Sequence, residues 1–262
     1  MTPSEPYSPQ PLPRPLPLAP EPEPPFGLFE VILAFAAMLF AVLFCGLLAI
    51  AIAHHLPAFS HLKAAELAEN PRILLPAQLA AYLLLIVALW RLFARHHGLG
   101  LLNALGWRWP QRWGRFPVFG ILLAVSVQLV AHCLPTPPEP PVDKMMQTAL
   151  DAWLMTAFGV LIAPFVEEML FRGLLFPALA RRTGALLSLL VTSALFGATH
   201  AAQLGGVWSQ VSLIVLVGAV LTLVRWRSHS LASSTLVHMG YNAALFAALF
   251  VETHGFTNFS VK

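Results

Sequence analysis

Runs of apolar residues, each about as long as one bilayer crossing, recur along this chain, and its charges are confined to the short stretches between them. The apolar set makes up 58% of the 262 residues and charged residues only 10%, against about 25% in a soluble domain. With about 20 helical residues per crossing, the runs predict an all-α, polytopic transmembrane helix bundle of about seven spans. The expected spans are about Phe26 to Ala53, Ile73 to Trp90, Phe116 to Leu134, Ala149 to Ala180, Ala185 to Ala202, Val207 to Val224 and Leu231 to Phe250.

Residues 1–25 hold 11 of the 23 prolines, a density that predicts a disordered, polyproline-like tail. This segment has neither the basic start nor the small-residue cleavage site of a signal peptide, so it is expected to be retained. Residues 26–250 then form the transmembrane helical domain, and 251–262 a C-terminal tail. The net charge of +3 does not point to nucleic acid, because the arginines gather at span ends, where topology accounts for them. The arginines between 91 and 115, the Arg181-Arg182 turn and the Arg225–Arg227 turn fall on one side of a seven-span bundle. That side is expected to be cytoplasmic, with the N-terminus inside. Tryptophans 107, 109 and 113 alternate with arginines in a predicted interfacial helix over 98–115. Cys45 and Cys133 both lie in apolar spans and show neither metal spacing nor a disulfide framework, so core thiols are expected.

Ionisable groups inside a span are costly, at least ~2.5 kcal/mol each at the helix centre. Here they concentrate: Glu167, Glu168 and Arg172 in span four, His200 in span five, His238 and Asn242 in span seven. Gln78, Gln128 and His132 stand singly. Glu168 and Arg172 are four residues apart and share a face, so they are expected to pair. Glu167, about 100° around the helix, is left as the unpaired carboxylate and suits a general acid or base. His238 and Asn242 are also four apart and predict two donors aimed at one point, as an oxyanion needs. At 1.5 Å per residue from the cytoplasmic helix ends, Glu167, His200 and His238 lie about 21, 24 and 16 Å deep. Convergence therefore requires tilt or a kink, for which Pro164 is the candidate. Any one of these residues taken alone is explained by helix pairing. Six of them on three helices are not.

At these residues the chain resembles a known family. Glu167-Glu168-Met-Leu-Phe-Arg172 is similar to the EExxxR motif of the CAAX-protease and bacteriocin-processing (CPBP, or Abi) family. Phe196-Gly-Ala-Thr-His200 is similar to its FxxxH motif, and His238-Met-Gly-Tyr-Asn242 to its HxxxN motif. The three occur in family order and place a CPBP-like catalytic core at 149–250. The resemblance implies an all-helical membrane fold around a wet cavity, and hydrolysis of a peptide bond in a membrane-associated protein or peptide. It implies that Glu167 and His200 activate water while His238 and Asn242 stabilise the oxyanion, with Glu168 and Arg172 supporting the site.

Other chemistries are weighed against this. No H-E-x-x-H or G-x-S-x-G occurs, and Asp143 and Asp151, at a loop and a helix start, do not supply an aspartyl dyad. Two histidines and a glutamate are a ligand set that zinc accepts with a water in the fourth position, and the family chemistry does not require it. The cofactor thus stays open between none and zinc. A non-catalytic binding or bacteriocin-immunity protein is the alternative function. A transporter is disfavoured by the lack of an inverted repeat with paired broken helices. The compact length and the absence of sorting signals favour a bacterial inner membrane.

Overall fold

The computed structural model describes residues 25–134 and 145–259. The proline-rich tail up to residue 24, the proline cluster at 135–141, Asp143 and the last three residues lie outside the described residues. The described chain is helical, without a strand. Its elements are α1 (Leu28–His54), α2 (Ala64–Glu69), α3 (Pro71–His97), α4 (Leu101–Ala104) and α5 (Arg115–His132). They are followed by α6 (Ala149–Thr183), α7 (Ala185–Thr199), α8 (Trp208–Ser228) and α9 (Leu231–Glu252). Six of these, α1, α3, α5, α6, α8 and α9, are long and apolar enough to cross a bilayer. The seventh apolar helix, α7, has 15 residues. At 1.5 Å per residue it is about 22 Å long, short of the ~30 Å hydrocarbon core. It ends three residues earlier than the apolar run suggests, at Thr199, and the chain turns through Gly205 and Gly206, both at positive φ.

Local chemistry sets the helix ends. The Asn70 side chain accepts from Arg72 N–H at the start of α3, and Gly98 closes that helix in the left-handed conformation. Thr148 and Ser230 cap α6 and α9 through bonds from the N–H groups of Asp151 and Ser233. The predicted interfacial helix over 98–115 does not form as such. Only Leu101–Ala104 is helical, because Gly106 takes φ +72° and Pro110 lacks an N–H donor. The segment keeps its exposed Trp109 and Trp113. Its turns are pinned to the start of α9, where the Ser230 hydroxyl donates to the Arg108 carbonyl and Leu231 N–H to the Gly106 carbonyl.

Helix α6 does not run as a single α-helix. Two π-helical stretches, Phe158–Ile162 and Met169–Leu175, interrupt it. Each lies just ahead of a proline, Pro164 and Pro177. Proline has no N–H, and its ring clashes with the carbonyl four residues back, which a widened turn relieves. The kink assigned to Pro164 is thus a π turn. Helices pack α1 against α3, α5 against α9 and α7 against α8. Gly120 lies on the α9 backbone at Val237–Tyr241 and Gly240 on Pro117, with no room for a Cβ at either. Small residues that admit backbone to backbone in this way are the usual device of membrane helix pairs. Many apolar side chains of α1 point outward, Phe29, Leu33, Phe40 and Leu47 among them, as a lipid-facing surface requires. Beyond α9 the chain folds back, so that Phe256 is buried against Trp153 and Phe250. The segment expected as a C-terminal tail is packed here.

Candidate active site

The three motifs meet inside the bundle. Arg172 and Glu168, both fully buried, are joined by a 2.8 Å ion pair within α6, as their spacing predicts. Arg172 also donates to Thr222 Oγ1 (3.2 Å) and to the Gly218 carbonyl (2.8 Å) of α8. Its Cζ lies 4.3 Å from the Phe196 ring centroid. A buried guanidinium needs this degree of partnering, because an unpaired charge in the interior costs several kcal/mol.

Glu167 stands apart from that pair, partly exposed, with Oε2 3.8 Å from Nε2 of His200 and 3.8 Å from Nε2 of His238. These gaps exceed direct hydrogen bonding and suit a bridging water. His200 caps the C-terminal end of α7. Its Nδ1 lies 2.8 Å from the Phe196 carbonyl, which only accepts, so Nδ1 carries the proton and Nε2 turns a lone pair toward Glu167. A water between a carboxylate and an imidazole lone pair donates to both and is polarised. His238 is almost fully buried, and its Nδ1 lies 3.1 Å from Glu168 Oε1. Phe196 holds the constellation together: its ring contacts both histidines, with centroids 4.6 Å from His200 and 5.7 Å from His238.

Asn242 has a partner that its spacing from His238 did not suggest. Its Nδ2 donates to the Gly159 carbonyl of α6 at 2.7 Å. The π turn supplies the reason. In that register Ala163 N–H bonds the Phe158 carbonyl, five residues back. Pro164, next along, has no N–H for Gly159, and the Asn242 amide takes its place. An asparagine amide has two N–H donors, and this bond uses one.

Gln128 and His132 stay exposed on α5. Gln78 is not isolated: it donates to the Tyr82 hydroxyl at 2.7 Å. Tyr82, nearly buried, lies within electrostatic range of Glu167. Sequence reasoning missed Tyr82, although its i,i+4 spacing from Gln78 was a readable signal. It also missed Thr222, Gly218 and Gly159, whose roles depend on helices far apart in sequence. Among the described residues, no group of three or more His, Cys, Asp and Glu is arranged as a metal site.

An apolar pocket of about 450 Å³ opens between α6 and α9, lined by residues that include Trp153, Val160, Ala243 and Phe246 but not by Glu167, His200 or His238. Comparison with curated proteins and with solved structures finds no match. Comparison with family models does: residues 149–244 match the type II CAAX prenyl endopeptidase, Rce1-like family. That stretch contains EExxxR, FxxxH and HxxxN complete, in agreement with the resemblance read from the motifs. Residues 149–244, in a chain with six helices long and apolar enough to cross a membrane, are thus similar to the Rce1-like CAAX prenyl endopeptidase family.

Proposed function

We propose that the chain is an intramembrane endopeptidase in which Glu167 and His200 activate a water that hydrolyses a peptide bond of a membrane-associated protein or peptide. The single observation that carries this is Glu167 Oε2, equidistant at 3.8 Å from the Nε2 atoms of His200 and His238. The water attacks the scissile carbonyl, and His238 with the remaining N–H of Asn242 holds the oxyanion. Glu168 and Arg172 tie α6 to α8 and α9 and keep the site in register. We place the protein in a bacterial inner membrane with its N-terminus in the cytoplasm.

Comparing the membrane peptidomes of wild-type and Glu167→Gln cells tests this reading. Peptides present in wild type and absent in the variant identify products, and identical peptidomes at equal protein levels overturn the assignment. Turnover of such a substrate by purified protein in excess chelator then tests the metal question. Full activity without metal supports water activation by Glu167 and His200. Activity restored only by added zinc replaces it with a zinc-bound water.

A further inference from the structure

Glu168 has a second contact that pairing with Arg172 does not explain. The same Oε1 atom that accepts from Arg172 Nη1 at 2.8 Å lies 3.1 Å from His238 Nδ1. Both side chains are shielded, Glu168 fully and His238 at 4% exposure, so no solvent competes for the bond. The charged groups facing this ring are Glu168 on one nitrogen, Glu167 on the other, and Arg172 behind Glu168. An ionised carboxylate only accepts hydrogen bonds, and the ion pair with Arg172 holds Glu168 in that form.

The geometry points to Glu168 as the positioning residue that fixes the tautomer of His238: Nδ1 carries the proton, and Nε2 presents a lone pair to the site at rest. His238 then stabilises an oxyanion only after taking up a proton, and the attacking water is its source. This rests on the hydrolytic reading above. In the first step the water O–H bond breaks and its oxygen bonds the carbonyl carbon. The C=O π pair moves to oxygen, and the water proton is taken by Glu167 and passes from its carboxylate, 3.8 Å away, to His238 Nε2. The Nε2–H so formed is the donor that holds the new oxyanion. In the second step the C=O re-forms and the C–N bond breaks. The same proton passes to the departing nitrogen, which returns His238 to its resting state. A carboxylate behind a histidine that orients its ring and selects its tautomer is a recurrent arrangement in hydrolytic sites.

The test is nitrogen NMR on the full-length, histidine-labelled protein in lipid nanodiscs with chelator at neutral pH. His238 is assigned by the signals that His238→Gln removes. The expected spectrum has a directly bonded proton on Nδ1 and a bare Nε2, resonating well downfield. A ring with Nε2 protonated and Nδ1 bare, or with both nitrogens protonated at rest, overturns the proposal. In the charge-balanced double variant Glu168→Leu/Arg172→Leu, apolar groups replace the buried pair, and the Nδ1–H signature should be lost. Its persistence shows that Glu168 does not set it. The wild-type spectrum decides even where the double variant fails to fold. No turnover enters these readouts, so a protein that cleaves nothing still reports its tautomer, and failure of the hydrolytic reading is seen separately.

Discussion

Adjacent glutamates with different partners carry the sharpest predictions. Among the described residues Glu167 lies 3.8 Å from the Nε2 atoms of His200 and His238 without a direct side-chain hydrogen bond, whereas Glu168 serves a guanidinium and an imidazole. Glu167→Gln should leave the protein folded and thermally unchanged but inactive. Glu168→Gln strips the charge from a fully buried pair, and breaking such a pair costs about 3–5 kcal/mol. A loss of melting temperature and of yield in detergent should follow. A stable, inactive Glu168→Gln beside an active Glu167→Gln would reverse the two roles. Asn242 separates in a different way, because its amide fills the carbonyl that Pro164 leaves open. Asn242→Ala should lower kcat by ~100- to 1000-fold with little change in KM, as loss of an oxyanion donor does. It should also cost about 1–3 kcal/mol, because the Gly159 carbonyl is left unsatisfied. A drop in stability with kcat intact would make Asn242 a helix-pairing residue only.

Helix packing determines whether these side chains stay in register. Helix α9 brings His238 and Asn242 to α6, and α5 supports it from the far side through Gly120 and Gly240. A side chain at Gly240 has nowhere to go but into the Pro117 backbone, so Gly240→Leu must push the helices apart. Overpacking of this kind costs about 1–3 kcal/mol and should displace α9 from α6. The expected result is lower thermal stability in nanodiscs, together with a loss of activity larger than the fraction of unfolded protein explains. Wild-type activity in a stable Gly240→Leu protein would show that α5 does not position the site. The two π stretches of α6 act on the same geometry. The second, Met169–Leu175, carries Arg172, and such insertions recur at functional sites.

For the chain as a unit, the arginine distribution predicts the orientation, and the short α7 does not disturb it. Helices α7 and α8 pack together as neighbours joined by the turn at 200–207. Arg181-Arg182 at one end of the pair and Arg225–Arg227 at the other therefore sit on the same side, however far α7 reaches. Reporter fusions after Arg115, Arg182 and Arg227 should all read cytoplasm, and a fusion at Lys262 the opposite side. A cytoplasmic C-terminus would mean that one span fewer or one more crosses. Deleting residues 1–25 should leave insertion and activity intact, given their proline density; loss of activity in correctly inserted protein would reveal a role for that segment.

The helical bundle of about seven spans, the Glu168–Arg172 pair and the candidate polar residues inside the spans were legible from residue order alone. Each depends on a property carried by the chain locally: hydrophobic length, an i,i+4 interval, or the cost of a polar group in lipid. Contacts between helices distant in sequence were not legible, since no local interval encodes them. That Glu167 faces two imidazoles, that Glu168 turns to His238 and that Thr222 and Gly218 partner Arg172 all follow from how α6, α7, α8 and α9 pack. The direction of the Asn242 amide shows the boundary most clearly. Its spacing from His238 predicted a shared target, and the sequence names Pro164 as a place where α6 must yield. Only the packed bundle determines that α6 yields by a π turn, which presents an unsatisfied Gly159 carbonyl to the helix that carries Asn242.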